Sequence, residues 1–237
     1  MKTLIINGSL KGESSHSMMV AEKFAEGLNI SAAGETRVIE LGNMNIEHCR
    51  GCFACWKVTP GRCAIRDDMD IIKDAILESD VVILSFPLYF FGMSSKMTTM
   101  LNRLLPLKMP YKGKLATKEN PVIMDFRYDL SHKKLVLVSS CAHASTDMVY
   151  DAVTTQFDMI CGKDNYTTVF TPQGEILMLD KMKPILNAYL EKVKKAGEEF
   201  GREGKLCEET HRNVCAPLIP VRAVEKMMTG YWEEYPQ

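Results

Sequence analysis

Lys2-Thr3-Leu4-Ile5-Ile6-Asn7-Gly8-Ser9-Leu10-Lys11-Gly12-Glu13-Ser14-Ser15-His16-Ser17 is the stretch on which the fold reading turns. Residues 2–6 read as a short buried strand. Residues 7–17 form a loop rich in glycine and serine, and Met18, Met19, Val20, Ala21, Phe24, Ala25 and Leu28 then follow helical spacing. A strand, a hydroxyl-rich loop and a helix form an arrangement that holds phosphate. The first turn of a helix offers unpaired N–H groups and the positive end of the helix dipole. Ser9, Ser15 and Ser17 can add hydroxyl donors, and the small residues let the backbone come close. Neither G-x-x-x-x-G-K-[ST] nor G-x-G-x-x-G is present. The loop therefore suits the single terminal phosphate of a mononucleotide such as FMN. The alternative is an ordinary strand–helix connection capped by serine.

Composition narrows the function classes. The 237 residues suit one large domain, or one domain with an extension. A hydrophobic fraction of 46% and a charged fraction of 25% are ordinary for a globular protein. A net charge of -1 argues against a nucleic-acid footprint or a membrane-surface patch. No signal peptide and no run of membrane-spanning length is visible, so a cytoplasmic protein is expected. In a reducing compartment the eight cysteines are expected as buried thiols, metal ligands or redox groups rather than as disulfides.

Farther along, strands alternate with helices. Strands are predicted at 35–40, 81–84, 134–138 and 166–170, with a short extra one at 122–126. Helices are predicted at 69–78 (capped by Asp67-Asp68), 94–105, from Ser145 or Asp147 to Cys161, and at 181–203. This rhythm implies an α/β, flavodoxin-like three-layer sandwich. Its five-stranded parallel sheet would run in the order 2-1-3-4-5. Residues 1–203 would form that domain, and residues 204–237 a helical extension with short helices at 207–214 and 221–229. The aromatic end Tyr231-Trp232-Glu233-Glu234-Tyr235 is expected to dock on its own domain or on a second subunit, with a cover over the site as the alternative. Ligands of such sheets sit beyond the carboxyl ends of the strands. That brings the loops 9–17, 87–92 and 139–144 together. In the second, Phe86-Pro87-Leu88-Tyr89-Phe90-Phe91-Gly92-Met93 can stack on a flat ring system, or pack beneath the next helix.

Cysteines dominate residues 42–66 in the pattern Cys49-x2-Cys52-x2-Cys55-x7-Cys63. Two-residue spacings let successive thiolates converge on one centre, and three ligands plus a more distant fourth is the ferredoxin-like pattern of a four-iron four-sulfur cluster. Zinc more often uses two separated C-x2-C pairs. Bare reduced thiols packed beside Phe53 and Trp56 are the remaining alternative.

The runs GSLKGESSHS, CRGCFACWKVTPGRCAIRDDM and SDVVILSFPLYFFGMSSKMTTMLNRL make the chain similar to NAD(P)H-dependent FMN reductases of the flavodoxin-like superfamily, in the branch that includes iron–sulfur flavoproteins. The resemblance covers most of the chain. It implies an FMN phosphate held by Ser9, Lys11, Ser15, His16 and Ser17. It implies that Pro87, Leu88, Tyr89, Phe90, Gly92 and Met93 flank the isoalloxazine, while Ser140, Cys141, Ala142 and His143 line its other edge. It maps the cluster ligands onto Cys49, Cys52, Cys55 and Cys63. Close relatives usually carry Thr-Cys-Gly-Phe where this chain has Ser140-Cys141-Ala142-His143, and aspartate where it has Asn102. The implied activity is oxidation of NADH or NADPH through flavin N5, with electrons passed to a quinone, nitro, azo or flavin acceptor. An electron carrier between protein partners is the alternative, and a redox or metal sensor a third reading. A homodimer or homotetramer is implied. No residue is assigned to acid–base catalysis; His143 is either a proton donor or a structural, solvent-facing group.

Overall fold

A computed structural model describes residues 1–233, apart from the side chains of Glu13, Leu177, Met178, Tyr231 and Trp232. The docking expected of the aromatic end rests on side chains outside the described residues. The apolar run at the start forms β1 (Lys2–Asn7), and α1 (His16–Ala32) follows. Next come β2 (Glu35–Glu40), the short α2 (Ala54–Lys57), α3 (Met69–Glu78), β3 (Val81–Tyr89), β4 (Gly92–Met93) and α4 (Ser95–Arg103). The chain continues through β5 (Lys134–Ser140), α5 (Asp151–Cys161), β6 (Thr167–Thr171), α6 (Lys183–Glu203), α7 (Glu208–Cys215) and α8 (Val221–Glu233). Five strands pair in parallel in the order β2-β1-β3-β5-β6, and β4 pairs antiparallel with β3. Counting the parallel strands alone, this is the expected 2-1-3-4-5 order. Among the described residues no helix is long and apolar enough to cross a membrane.

Alternation along the strands builds two cores. Leu4, Ile6, Val82, Leu84 and Leu137 face α3, α4 and α5, whereas Ile5, Ile83, Val136, Val138 and Val169 face α1 and α6. On the second face α1 and α6 meet backbone to backbone. A methyl on Gly27 would lie 1.8 Å from the Lys194 carbonyl oxygen, and one on Gly197 would lie 2.0 Å from that of Phe24. α7 lies beside β6 and α6, and its Val214 is buried in this core.

Three departures from expectation stand out. β3 runs on to Tyr89 because β5 keeps pairing with it as far as Pro87↔Ser140, after which β4 pairs with Leu88 and Tyr89. The expected strand at 122–126 does not form. Met109 N–H donates to the Asp125 carbonyl and Arg127 N–H to that of Leu107, which leaves a single bridge, Lys108↔Phe126, outside the sheet. α5 begins at Asp151 rather than at Ser145 or Asp147. Those two residues spend their polar groups on each other, and Met148 at φ 62 breaks the helical path.

Candidate functional site

At the end of β1 the buried Asn7 folds the next loop. Its Oδ1 accepts the Ser9 N–H (3.0 Å), and its Nδ2 donates to the Gly12 carbonyl (3.2 Å). Ser9 Oγ accepts the Lys11 N–H (3.2 Å). The buried hydroxyls of Ser15 and Ser17 lie 2.9 Å apart. α1 then starts at His16 with no side-chain cap and no acidic residue in its first turn. Its leading N–H groups are thus left for an external anion, and nothing negative competes in that turn. Burial, and then the charge of Lys11, lower the pKa of His16, while Glu175 raises it. An anion placed there would oppose the effect of Lys11 and favour the charged form of His16. Gly8 permits the close fit: a Cβ there would lie 2.9 Å from Ser94 Oγ and 3.0 Å from Met97. Ser94 Oγ donates to the Gly8 carbonyl (2.7 Å), which joins the first loop to the foot of α4.

The second loop is a tight hairpin. Phe90 (φ 48) and Phe91 (φ 63) are the two residues between the paired Tyr89 and Gly92. Left-handed backbone at both central positions is the turn that normally selects Asn-Gly. Here it holds two aromatics, 99% and 51% exposed, beside the half-exposed Tyr89. Pro87 and Leu88 are partly buried, and Met93 is buried. The Phe91 ring lies 5.5 Å from the ring of His143, which brings the second and third loops into contact.

In the third loop Ala142 and His143 are exposed and Ser140 is buried. Cys141 turns its thiol into the core, and burial raises its pKa. Its N–H donates to the Thr171 carbonyl (3.0 Å) and its carbonyl accepts the Gly174 N–H (2.7 Å), so Cys141 braces the loop. The loop is also held by Gln173, 1% exposed, a residue that sequence reasoning missed. Its N–H donates to the His143 carbonyl (2.9 Å), and its Nε2 donates to the carbonyls of Ala144 (3.0 Å) and Ile219 (2.9 Å). Gln173 Oε1 accepts the Ile219 N–H (3.0 Å), pinning the C-terminal segment to the site's edge. Asn7 and Ser94 were missed as well, although an asparagine at a strand end before glycine is a recognisable turn brace.

The cysteine loop closes on itself. Gly51 (φ 62) and Phe53 (φ 54) turn the chain, and the Gly61 N–H donates to the Cys55 carbonyl (3.0 Å), returning Cys63 toward the others. Phe53 and Trp56 stack at 5.2 Å, and Trp56 Nε1 donates to the Lys108 carbonyl (2.9 Å). Cys49, Cys52, Cys55 and Cys63 line one small cavity together with Arg103 and the exposed Asn102. Burial, then the charge of Cys63, and less strongly those of Cys52 and Cys49, push the Cys55 thiol up. All eight cysteines are free. Among the described residues no three His, Cys, Asp or Glu side chains converge as ligands of one ion do. The four thiols are an all-sulfur donor set, the ligand chemistry of a sulfide-bridged iron cluster.

A larger cavity of about 540 Å³ lies at the opposite edge of the sheet, against Val82, Leu135 and Thr167 near the starts of their strands. Its Tyr166 hydroxyl already bonds to Asp158, and its Lys133 ammonium to the carbonyls of Leu77 and Ser79. The three loops described above lie at the other end of the strands.

Residues 1–159 match the model of the family described as NADPH-dependent FMN reductase. An iron-sulfur flavoprotein of Archaeoglobus fulgidus is 33% identical over 121 residues, covering 48% of this chain and 53% of the relative. An iron-sulfur flavoprotein of Methanocaldococcus jannaschii is 34% identical over 113 residues, covering 47% and 56% respectively. The chain thus spans about half the length of the curated relatives it matches. Among solved structures, the NAD(P)H:quinone oxidoreductase of Methanothermobacter marburgensis aligns with a TM-score of 0.58 at 17% identity, over 84% of this chain and 96% of that one. An FMN-dependent NADH-azoreductase of Bacillus anthracis, solved with FMN, aligns with a TM-score of 0.59 at 16% identity, over 84% and 99%. At such identities these two alignments speak for the fold.

Proposed function

Because the chain belongs to the NADPH-dependent FMN reductase family, we propose that it is an FMN-dependent NAD(P)H oxidoreductase serving a small acceptor of the quinone, nitro, azo or flavin class. The observation that carries this reading is the uncapped, acid-free start of α1 above the buried Ser15–Ser17 pair, beside an exposed aromatic hairpin. Bound FMN would supply acceptance of two electrons and their release singly or in pairs. The chain's own part is to bind and orient. Ser9, Ser15, Ser17 and the first-turn N–H groups hold the phosphate, with Lys11 and His16 offsetting its charge. The segment from Pro87 to Met93 walls one side of the ring, and the Ser140–His143 loop, kept in place by Gln173, walls the other. No acid or base on the chain is required. The exposed Leu10, Tyr89, Phe90, Phe91 and Met148 around the crevice suit a site completed by a second copy, as a homodimer or homotetramer. Residues 1–203 form the cofactor domain in this reading, and 204–237 the extension that steadies its third loop.

The cysteine cavity favours a second reading for part of the function. We assign it a four-iron four-sulfur cluster held by Cys49, Cys52, Cys55 and Cys63, a soft donor set with a cation beside it. The relatives named iron-sulfur flavoproteins support this assignment. With both groups bound, the protein could relay single electrons between protein partners. Anaerobically purified protein should show a flavin spectrum, take up FMN on titration, contain iron and sulfide in equal amounts, and oxidise NADH or NADPH with a quinone present. A colourless protein that fails to bind FMN refutes the flavin reading. Reduction by a ferredoxin but not by pyridine nucleotides favours the carrier.

A further inference from the structure

Arg103, at the end of α4, has a fully buried side chain (0% exposed) and closes the cysteine loop at both ends. Its Nη1 donates to the Glu47 carbonyl (2.6 Å) and to Asp67 Oδ2 (2.6 Å). Its Nη2 donates to Asp67 Oδ1 (2.8 Å) and to the Ile65 carbonyl (3.4 Å). Glu47 precedes Cys49 and Ile65 follows Cys63, so one guanidinium buckles the segment that carries all four thiols. Asp67 Oδ2 also accepts the Glu47 N–H (2.9 Å), which completes the buckle.

A guanidinium has five N–H donors. Four are used in these bonds. The fifth, on Nε, is buried and makes no hydrogen bond. A buried donor left unmet is costly, and native structures rarely retain one without a reason. Arg103 is also part of the wall of the cavity lined by Cys49, Cys52, Cys55 and Cys63. Against burial, the Asp67 carboxylate and then the Cys63 sulfur hold its cation.

We propose that Arg103 is the positioning residue of the cysteine site, clamping the loop through its Nη atoms while its Nε–H donates to a sulfur of the cluster. This rests on the cluster reading above. A directed, charge-assisted donor favours the reduced cluster, which carries one more negative charge than the oxidised one. Arg103 thus sets the reduction equilibrium and shields the ligands from release.

The test uses full-length protein purified anaerobically, or reconstituted with ferrous iron and sulfide, with dithionite as the reductant and electron paramagnetic resonance as the readout. R103Q removes the charge and the Nε donor. R103K keeps the charge and loses the fork. D67N loosens the same clamp but leaves the Nε–H. The expected result is a shift of at least tenfold toward the oxidised cluster in R103Q, which is 59 mV for a one-electron couple. R103K should fall between R103Q and the wild type, D67N should move less than threefold, and chelators should strip iron faster from R103Q than from D67N. Wild-type flavin content checks folding, and R103K decides if R103Q does not fold. Unmoved potentials in R103Q and R103K, or a D67N shift as large as that of R103Q, overturn the assignment and leave the cluster reading intact. A wild-type protein that binds flavin but no iron overturns both.

Discussion

The Phe90-Phe91 turn is strained, and replacing it by Asn-Gly should make the protein more stable and less active. Both residues sit in left-handed backbone, at φ 48 and φ 63. Such backbone costs roughly 1–2 kcal/mol for each residue other than glycine, so the pair stores about 2–4 kcal/mol. In the F90N/F91G double variant, asparagine relieves part of this and glycine all of its share. Glycine gives back about 0.5–1 kcal/mol through the entropy of the unfolded chain. Phe90 is 99% exposed, so its removal loses no burial. Phe91 gives up its 5.5 Å contact with the His143 ring, worth about 0.5–1 kcal/mol. The net gain is about 0.5–1 kcal/mol, or a rise of about 1–4 °C in Tm for a chain of this size. The assay is thermal or urea unfolding of flavin-free protein, so that cofactor binding adds nothing to the stability measured. In parallel, kcat/KM for a quinone acceptor should fall about tenfold, which corresponds to roughly 1.4 kcal/mol of lost stabilisation. An unchanged Tm would show that the turn stores no strain. A raised Tm with full activity would show that the aromatics serve no purpose at the site.

Ser17→Ala should weaken FMN binding about tenfold, the loss of one hydrogen bond to a charged group, while leaving riboflavin binding unchanged; fluorescence titration with both ligands checks this, and equal losses would place Ser17 away from the phosphate. Gly8→Ala drives a methyl to 2.9 Å from Ser94 Oγ and 3.0 Å from Met97. It should cost about 1–3 kcal/mol in urea unfolding and weaken FMN binding as well. Asp67 is pushed toward a higher pKa by burial, but the Arg103 hydrogen bonds and the N–H groups of Glu47 and Met69 outweigh this and lower it. Its stabilising effect is present above the usual carboxylate pKa of about 3.9 and is lost as pH falls through the lower folded value. The Tm gap between wild type and D67N should therefore be constant near neutrality and close in acid. A gap that persists at low pH would refute the pairing.

The sheet was legible because its continuous apolar runs are separated by capped, periodic helices. The convergence of three loops at its carboxyl edge followed from topology alone. The structure ties the first loop to the foot of α4 through Ser94 and Gly8, and the second to the third through Phe91 and His143. The hairpin was not legible, since Tyr-Phe-Phe-Gly lacks the residues that left-handed turns prefer and reads as a loop. Gln173 escaped notice because its partners lie 29 to 46 residues away and are mostly backbone atoms, which no side-chain pattern announces. Nothing in the expected helix 94–105 singles out Arg103. Its burial depends on Asp67 and two carbonyls supplied by a loop whose path spacing alone does not specify.

The glycine contacts between α1 and α6 act as a rivet. With the two backbones touching at Gly27 and Gly197, α1 cannot slide along its neighbour, and one residue of slippage would carry its leading end about 1.5 Å from the phosphate proposed there. In the proposed site, cofactor exchange would then proceed by movement of the loops at the front of the molecule, with the helix behind them as a fixed anvil. Substitution should be tolerated on the exposed faces of both helices and least of all at those two positions.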